Sequence, residues 1–198
     1  MAKDTPTAVG IAYAESAEGI LDLTIEANLI TAGDAQVNAY AIRNTLLLAR
    51  RQARVRYENG VTLPAAASKL RADAERQARH SRILSRNIKN ATGEAKHAEA
   101  DAHHVVAQAD KRARRSRSLL FNWGIGINDA DNGIYLPKKW TSNVPGLEGA
   151  TAHENIHTAD YHLAVQLRLL EVRRQNAARA RLTLRDIKSE IVDNQFVY

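Results

Sequence analysis

Ala102-His103-His104-Val105-Val106 is the stretch on which the fold turns. The β-branched run His104-Val105-Val106 reads as a short strand, because such residues fit a pleated surface. Neighbouring side chains on a strand point to opposite faces, so His103 and His104 have different jobs. Outward from there, Asp110 is placed to cap a helix that carries Lys111, Arg112, Arg114, Arg115 and Arg117 and continues to Trp123. Gly124 and Gly126 end that helix. The run 128–133 is turn-rich, and Ile134-Tyr135-Leu136 forms a second short strand stopped by Pro137. A loop with Pro145, Gly146 and Gly149 leads to Thr151, which has Glu154 three residues on, a capping-box pattern. The long helix predicted to begin there carries His153 and His157.

The upstream half uses a different vocabulary. Residues 11–31 are mostly small and apolar and precede a Gly33-Asp34 break. Residues 35–57 carry Val37, Tyr40, Ile42, Leu46, Leu47 and Val55 at helix-like intervals and end at Asn59-Gly60. Pro64 can start a third helix running to about Asn90, rich in Arg and Gln on its polar face, before a break at Gly93. The expected organisation is a helical N-terminal region over 1–95, with a delivery, docking or packing role, and a second domain over 96–198. There is no internal repeat.

Composition limits the chemistry. With 44% hydrophobic and 25% charged residues, the 198-residue chain is globular rather than a disordered tail. The absence of cysteine excludes disulfides, zinc-thiolate sites and thiol nucleophiles together. A metal site must therefore use His, Asp, Glu or Asn. No window holds the roughly 18 apolar residues a membrane helix needs. The first nineteen residues contain no apolar block of secretory type, so export is expected to follow a route that reads something else. The net charge of +6 favours polyanionic partners, since neutralising phosphates releases counterions. The charge is uneven. Residues 1–35 are on balance acidic, five cations crowd 111–117, and Arg168, Arg173, Arg174, Arg179, Arg181 and Arg185 follow.

Five of the seven histidines fall at 103, 104, 153, 157 and 162. On a helix, positions four apart share a face, so His153 and His157 can grip one ion. One member of the 103–104 doublet can join them while the other stands free beside the metal. Three neutral imidazoles leave positions open for water and a phosphate oxygen. Taken alone, an i, i+4 histidine pair is usually a solvated helix face, and it is the combination with the doublet, the basic helix and the lack of cysteine that points to a metal. His80 and His97 have no partner at a useful spacing and read as surface residues. His162 also reads as a surface residue, with a phosphate contact or an extra ligand as the alternative.

Ala102-His103-His104-Val105-Val106, then Gly124-Ile125-Gly126-Ile127-Asn128-Asp129, Asn132-Gly133-Ile134-Tyr135-Leu136-Pro137, and His153 with His157-Thr158 and Tyr161 resemble the AHH nuclease family. That family is a branch of the HNH/endonuclease VII superfamily, found as toxin domains in bacterial polymorphic toxins and secreted effectors. The similarity covers roughly residues 95–175. It implies a mostly α chain with a small α+β element, namely a ββα-metal module preceded by the helical N-terminal region. By the same resemblance His103, His153 and His157 are metal ligands and His104 is the general base, a role suited to an imidazole near its ordinary pKa. Asn132 corresponds to the superfamily asparagine that pins the strand-connecting loop and so holds the base. The stretch from Asn132 to His153 is longer than in compact members, and His162 stands where a second aromatic is expected.

The chemistry implied is hydrolysis of phosphodiesters with one divalent metal ion. Imidazole ligands favour zinc or nickel, and the superfamily also works with magnesium or manganese. Arg112, Arg114 and Arg115 are candidates for gripping backbone phosphates, and little sequence preference is expected. The resemblance further implies a DNase toxin, cytoplasmic in its producer and injected into target cells. A secretion-system component would engage residues 1–95, and an acidic immunity protein would silence the enzyme. An RNase with the same site is the near variant. A basic nucleic-acid-binding module with a structural metal, and a helical adaptor with incidental histidines, are the competing classes.

Overall fold

The computed structural model describes residues 54–198, strands at 11–15 and 21–25, and helical positions at 39, 42–44 and 47. The chain divides into two compact units, Met1–Arg54 and Val55–Tyr198. In the first unit β1 (Ile11–Glu15) pairs antiparallel with β2 (Leu21–Ile25), with Ile11 opposite Ile25. The helix predicted over 11–31 is thus replaced by a pair of strands in its described part. Ile11 and Tyr13, then Leu21, Leu23 and Ile25, alternate with a period of two, which is the strand period. Most of the helix predicted over 35–57 lies outside the described residues.

The second unit begins with a small hairpin, β3 (Tyr57–Glu58) and β4 (Val61–Thr62). Asn59 and Gly60 both have positive φ, 47° and 80°, and this two-residue loop matches the strand twist. Asn59-Gly60 therefore reverses a hairpin instead of ending a helix. Next come α1 (Ala67–Glu75) and α2 (His80–Thr92), where a single helix was expected over 64–90. The chain leaves the helix at Arg76, whose ψ is 138°. The Arg76 carbonyl, which a continuous helix would offer to the backbone of residue 80, instead accepts from the His80 ring Nε2 at 3.0 Å. Gly93 ends α2 in the left-handed conformation at φ 80°, as predicted.

β5 (Ala100–His104) and β6 (Gly133–Pro137) pair antiparallel, with His103 opposite Ile134 and His104 opposite Gly133. The strand starts earlier than the valines suggested, and Val105 and Val106 follow it as fully buried loop residues. Between the two strands lie a 3-10 turn (Lys111–Ala113) and α3 (Arg114–Asn122). Asp110 caps this segment as predicted, accepting from the Arg112 N–H at 2.8 Å. A second 3-10 turn (Ala130–Asn132) leads into β6. A third (His153–Asn155) precedes α4 (Ala159–Glu171) and α5 (Ala177–Val192).

The helix predicted to start at Thr151 starts instead at Ala159, with the Thr158 hydroxyl accepting from the Tyr161 N–H at 3.1 Å. Both halves of the apparent capping box are used elsewhere. The Thr151 hydroxyl donates to Asn194 Oδ1 at 3.0 Å, and Glu154 accepts from the Trp140 N–H at 3.1 Å.

The two faces of the β5–β6 pair bury different partners. Ala100 and Tyr135 meet Leu84 and Ile88 of α2. Ile134 and Leu136 face the main core, with Leu120, Tyr161, Leu169 and Leu184 from α3, α4 and α5. By strand alternation, residues 100, 102 and 104 turn toward α2, and residues 101 and 103 turn toward α4. The architecture is mostly helical, with its principal sheet limited to two strands. Among the described residues no helix is long and apolar enough to cross a membrane.

Candidate metal centre and cleft

On the α4 side of β5, the His103 ring is buried. Its centroid lies 5.2 Å from that of His153 and 5.1 Å from that of His157, and those two are 5.0 Å apart. One nitrogen from each ring can be chosen so that all three lie within 4.8 Å of one another. The expected trio is therefore brought together, although not by a shared helix. His153 sits on a 3-10 turn and His157 just ahead of the Thr158 cap. Fully buried Ile156 anchors the segment between them, and the two Nε2 atoms meet at 3.1 Å.

Donor and acceptor chemistry shows that this trio suits a cation. The Tyr161 hydroxyl donates to the Val105 carbonyl at 2.9 Å, so its oxygen accepts from His103 Nε2 at 3.0 Å. The other ring nitrogen, His103 Nδ1, then carries a lone pair and has no partner although fully enclosed. An orphaned buried acceptor is costly, and a metal ion satisfies it. Asp101, two residues before His103 on the same strand face, places Oδ2 3.5 Å from His153 Nδ1 and orients that ring as well. Burial first, then the neighbouring His153 and His157, lowers the His103 pKa well below 6.5. Burial followed by His153 lowers that of His157. Neutral imidazole is the form that binds metal.

His104 is half-buried and approaches Asn128 Oδ1 with its Nε2 at 3.1 Å. Burial pushes its pKa down to about 4 against the opposing effect of the Asn128 hydrogen bond, below the ordinary value expected for it. Asn128 is fully buried, and its Nδ2 lies 3.0 Å from His80 Nδ1. His80 is consequently a buried residue, not the surface one predicted. Neither His80 nor Asn128 could be connected with His104 from sequence, because the three lie on separate elements. Asn132 does pin the loop: it accepts from the Val106 N–H at 2.8 Å and donates to the Ile127 carbonyl at 2.8 Å. It is fully buried and reaches His104 only through the backbone it holds.

His103, His104, His153 and His157 line one cleft of about 560 Å³, together with Arg79 and Arg82 from the start of α2. Those two arginines were missed, since in sequence they are two cations among many on a polar helix face. Of the three arginines predicted, Arg112 is at the site, held on Asp110 and donating to the His157 carbonyl at 3.2 Å. Arg114 and Arg115 are exposed on α3 and do not line the cleft. His162, predicted at the surface, is buried with Nε2 3.2 Å from Asp110 Oδ2. His97 is exposed, as expected.

The turn that carries Asn128 and Asn132 is fastened from α5. Buried Asp129 receives Arg181 at 2.8 and 2.9 Å, and Asp131 receives Arg181 and Arg185. Lys188 donates to the Ala130 carbonyl at 3.1 Å. Part of the C-terminal basic cluster thus braces the site.

A family model described as a nuclease family of the HNH/ENDO VII superfamily with conserved AHH matches residues 84–191. Neither the curated proteins nor the solved structures gave a match. The AHH of that description is Ala102-His103-His104, the end of β5, where one histidine belongs to the trio with His153 and His157 and the next meets Asn128. With more than half of its length inside the matched span, this chain belongs to the AHH nuclease family of the HNH/ENDO VII superfamily.

Proposed function

We propose that the protein is a metal-dependent DNA endonuclease acting as an antibacterial toxin, with His103, His153 and His157 as metal ligands and His104 as general base. The observation that carries this is the enclosed, unpartnered Nδ1 of His103, whose ring is grouped with two further imidazoles in a cleft that His104 also lines. A structural zinc site would fill the ion's coordination with four protein ligands. Three imidazoles leave room for water and substrate, which favours catalysis over a purely binding module.

When bound, a divalent cation supplies positive charge for the phosphate and the leaving oxygen. The remaining steps belong to the chain. Arg79 and Arg82 grip the backbone near the scissile phosphate, while Arg112 and, further along, Arg114 and Arg115 hold flanking phosphates. His104, neutral at physiological pH, takes the proton of the attacking water. Asn132 keeps the strand end rigid while that happens. The ligand set favours zinc or nickel, and activity with magnesium or manganese is compatible with water completing the shell.

The substrate and setting follow from charge and kinship. A net charge of +6 and cleft-lining arginines suit nucleic acid, and contacts of this kind engage phosphates more than base edges, so cleavage has little sequence preference. Duplex DNA is the first substrate to test, with RNA as the second. An acidic immunity protein would block the basic cleft in the producing cell, and delivery or docking is assigned to the unit Met1–Arg54. Plasmid nicking with added zinc, nickel, magnesium or manganese tests the core of this proposal. Nicking is expected in the wild type and lost in His104→Ala, which keeps its fold and its metal. Undiminished nicking by His104→Ala, or failure of the wild type to take up any metal, would overturn it.

A further inference from the structure

His104 ends a series of four hydrogen-bonding groups whose protons can be assigned from chemistry alone. The Arg76 carbonyl only accepts, so His80 Nε2, 3.0 Å away, carries its proton. In neutral His80 the other nitrogen, Nδ1, is then an acceptor. It meets both amide atoms of Asn128, Nδ2 at 3.0 Å and Oδ1 at 3.3 Å, and a lone pair can bond only with the nearer NH₂. That fixes the amide orientation and leaves Asn128 Oδ1 toward His104 Nε2, at 3.1 Å. A carbonyl oxygen cannot donate, so the proton of neutral His104 sits on Nε2 and the lone pair on Nδ1. The series is dry. His80 is 6% exposed and Asn128 is fully enclosed, its backbone carbonyl held by Asn87 Nδ2 at 2.7 Å.

We infer that His80, acting through Asn128, is a positioning residue that locks His104 in the Nε2–H tautomer and reserves Nδ1 for the water proton. This rests on the proposal that His104 is the base. Without His80, the Asn128 amide is free to turn over and offer its NH₂ to His104 Nε2, which favours the opposite tautomer. The nitrogen left over would then be protonated and unable to accept. His80 lies at the α1–α2 junction, upstream of the family-matched span that begins at residue 84.

The test uses long-range proton–nitrogen NMR of the full-length chain with labelled histidine, because the two ring nitrogens of each tautomer have distinct shifts. In the wild type His104 is expected as pure Nε2–H. In His80→Ala it is expected as a mixture of tautomers, with kcat down roughly tenfold or more and with KM and zinc affinity unchanged. Adding Asn128→Asp to His80→Ala should restore the Nε2–H signature, since a carboxylate can only accept. A wild-type His104 found as Nδ1–H overturns the inference without any variant. So does a His80→Ala spectrum in which the His104 tautomer has not moved. Nuclease activity surviving in His104→Ala would instead overturn the base assignment, a result on which the tautomer spectra do not depend.

Discussion

Tyr161 shows how much of this site depends on one atom. Its hydroxyl joins the Val105 carbonyl to His103 Nε2 and so leaves Nδ1 as the bare nitrogen of a ring grouped with His153 and His157. Tyr161→Phe keeps the buried ring and removes that link. Zinc affinity is expected to fall roughly 10–100-fold, the usual cost of losing such an orienting partner. Competition with a chelator measures this directly, and an unchanged affinity would show that the ring is held by packing alone. The histidine trio was legible only in part: two adjacent histidines on a strand must diverge, whereas His153 and His157 meet on a 3-10 turn and its exit and not on the helix face their spacing suggested. The orienting groups could not be read. Tyr161, Asn128 and His80 reach their partners across 58, 24 and 48 residues of chain, to His103, His104 and Asn128 respectively. Nothing in local pattern carries information over such separations, which is why His80 reads as a surface residue until α1 and α2 are seen to part.

At the scale of elements, the helix α2 and the strand β6 approach each other only because residue 133 has no side chain. A Cβ there would lie 2.5 Å from Leu84 Cδ1 and 3.0 Å from Ile88 Cδ1. Gly133→Ala should destabilise the fold by about 1–3 kcal/mol, the usual range for overpacking. Because Leu84 is the side chain in the way, Leu84→Ala should reduce that penalty in a double-mutant cycle followed by urea unfolding. Simple additivity would show that the strain lies elsewhere. The turn before β6 yields a prediction about pH. Burial alone would raise the Asp131 pKa, but Arg185 and Arg181 outweigh it and hold the carboxyl below 3.8. A folded value below the unfolded one means that the stabilisation is complete above the unfolded value and disappears as pH falls through the folded value. Asp131→Asn should therefore be less stable than wild type at neutral pH, and the difference should shrink in acid. A difference independent of pH would exclude the ion pairs as its cause. Elements were legible where the signal was chemical, as at the Asp110 cap, the Gly93 stop and the Pro137 boundary. They were misread where one signal had two uses. Thr151 and Glu154 look like a cap but are claimed by Asn194 and Trp140, so the helix waits for Thr158.

Within the net charge of +6, the described cations differ in role, and those facing the cleft are distinct from those already paired. Binding to DNA should weaken with salt, and removing a phosphate contact should lower the log–log slope by about 1 per residue. Arg79→Ala and Arg82→Ala are expected to do so, whereas Arg168→Ala, whose guanidinium is held by Glu190 at 2.8 Å, is expected to leave the slope alone. The same division of labour sets where the nuclease unit starts. A boundary at residue 96 follows the change in sequence vocabulary, but the compact unit begins at Val55. Residues 55–95 contribute Leu84 and Ile88 to one face of the sheet, Thr62 to the Asp129 carboxylate at 2.7 Å, and His80 to Asn128. A chain starting at 55 should therefore fold cooperatively and bind zinc as the full chain does. A chain starting at 96 exposes the α2 face of β5 and β6 and leaves Asn128 without its histidine. It should lose cooperative thermal unfolding and most of its zinc affinity. If the shorter piece melted cooperatively and bound zinc normally, the α1–α2 segment would be an accessory, and the backing of His104 would have to come from β5 and β6 alone.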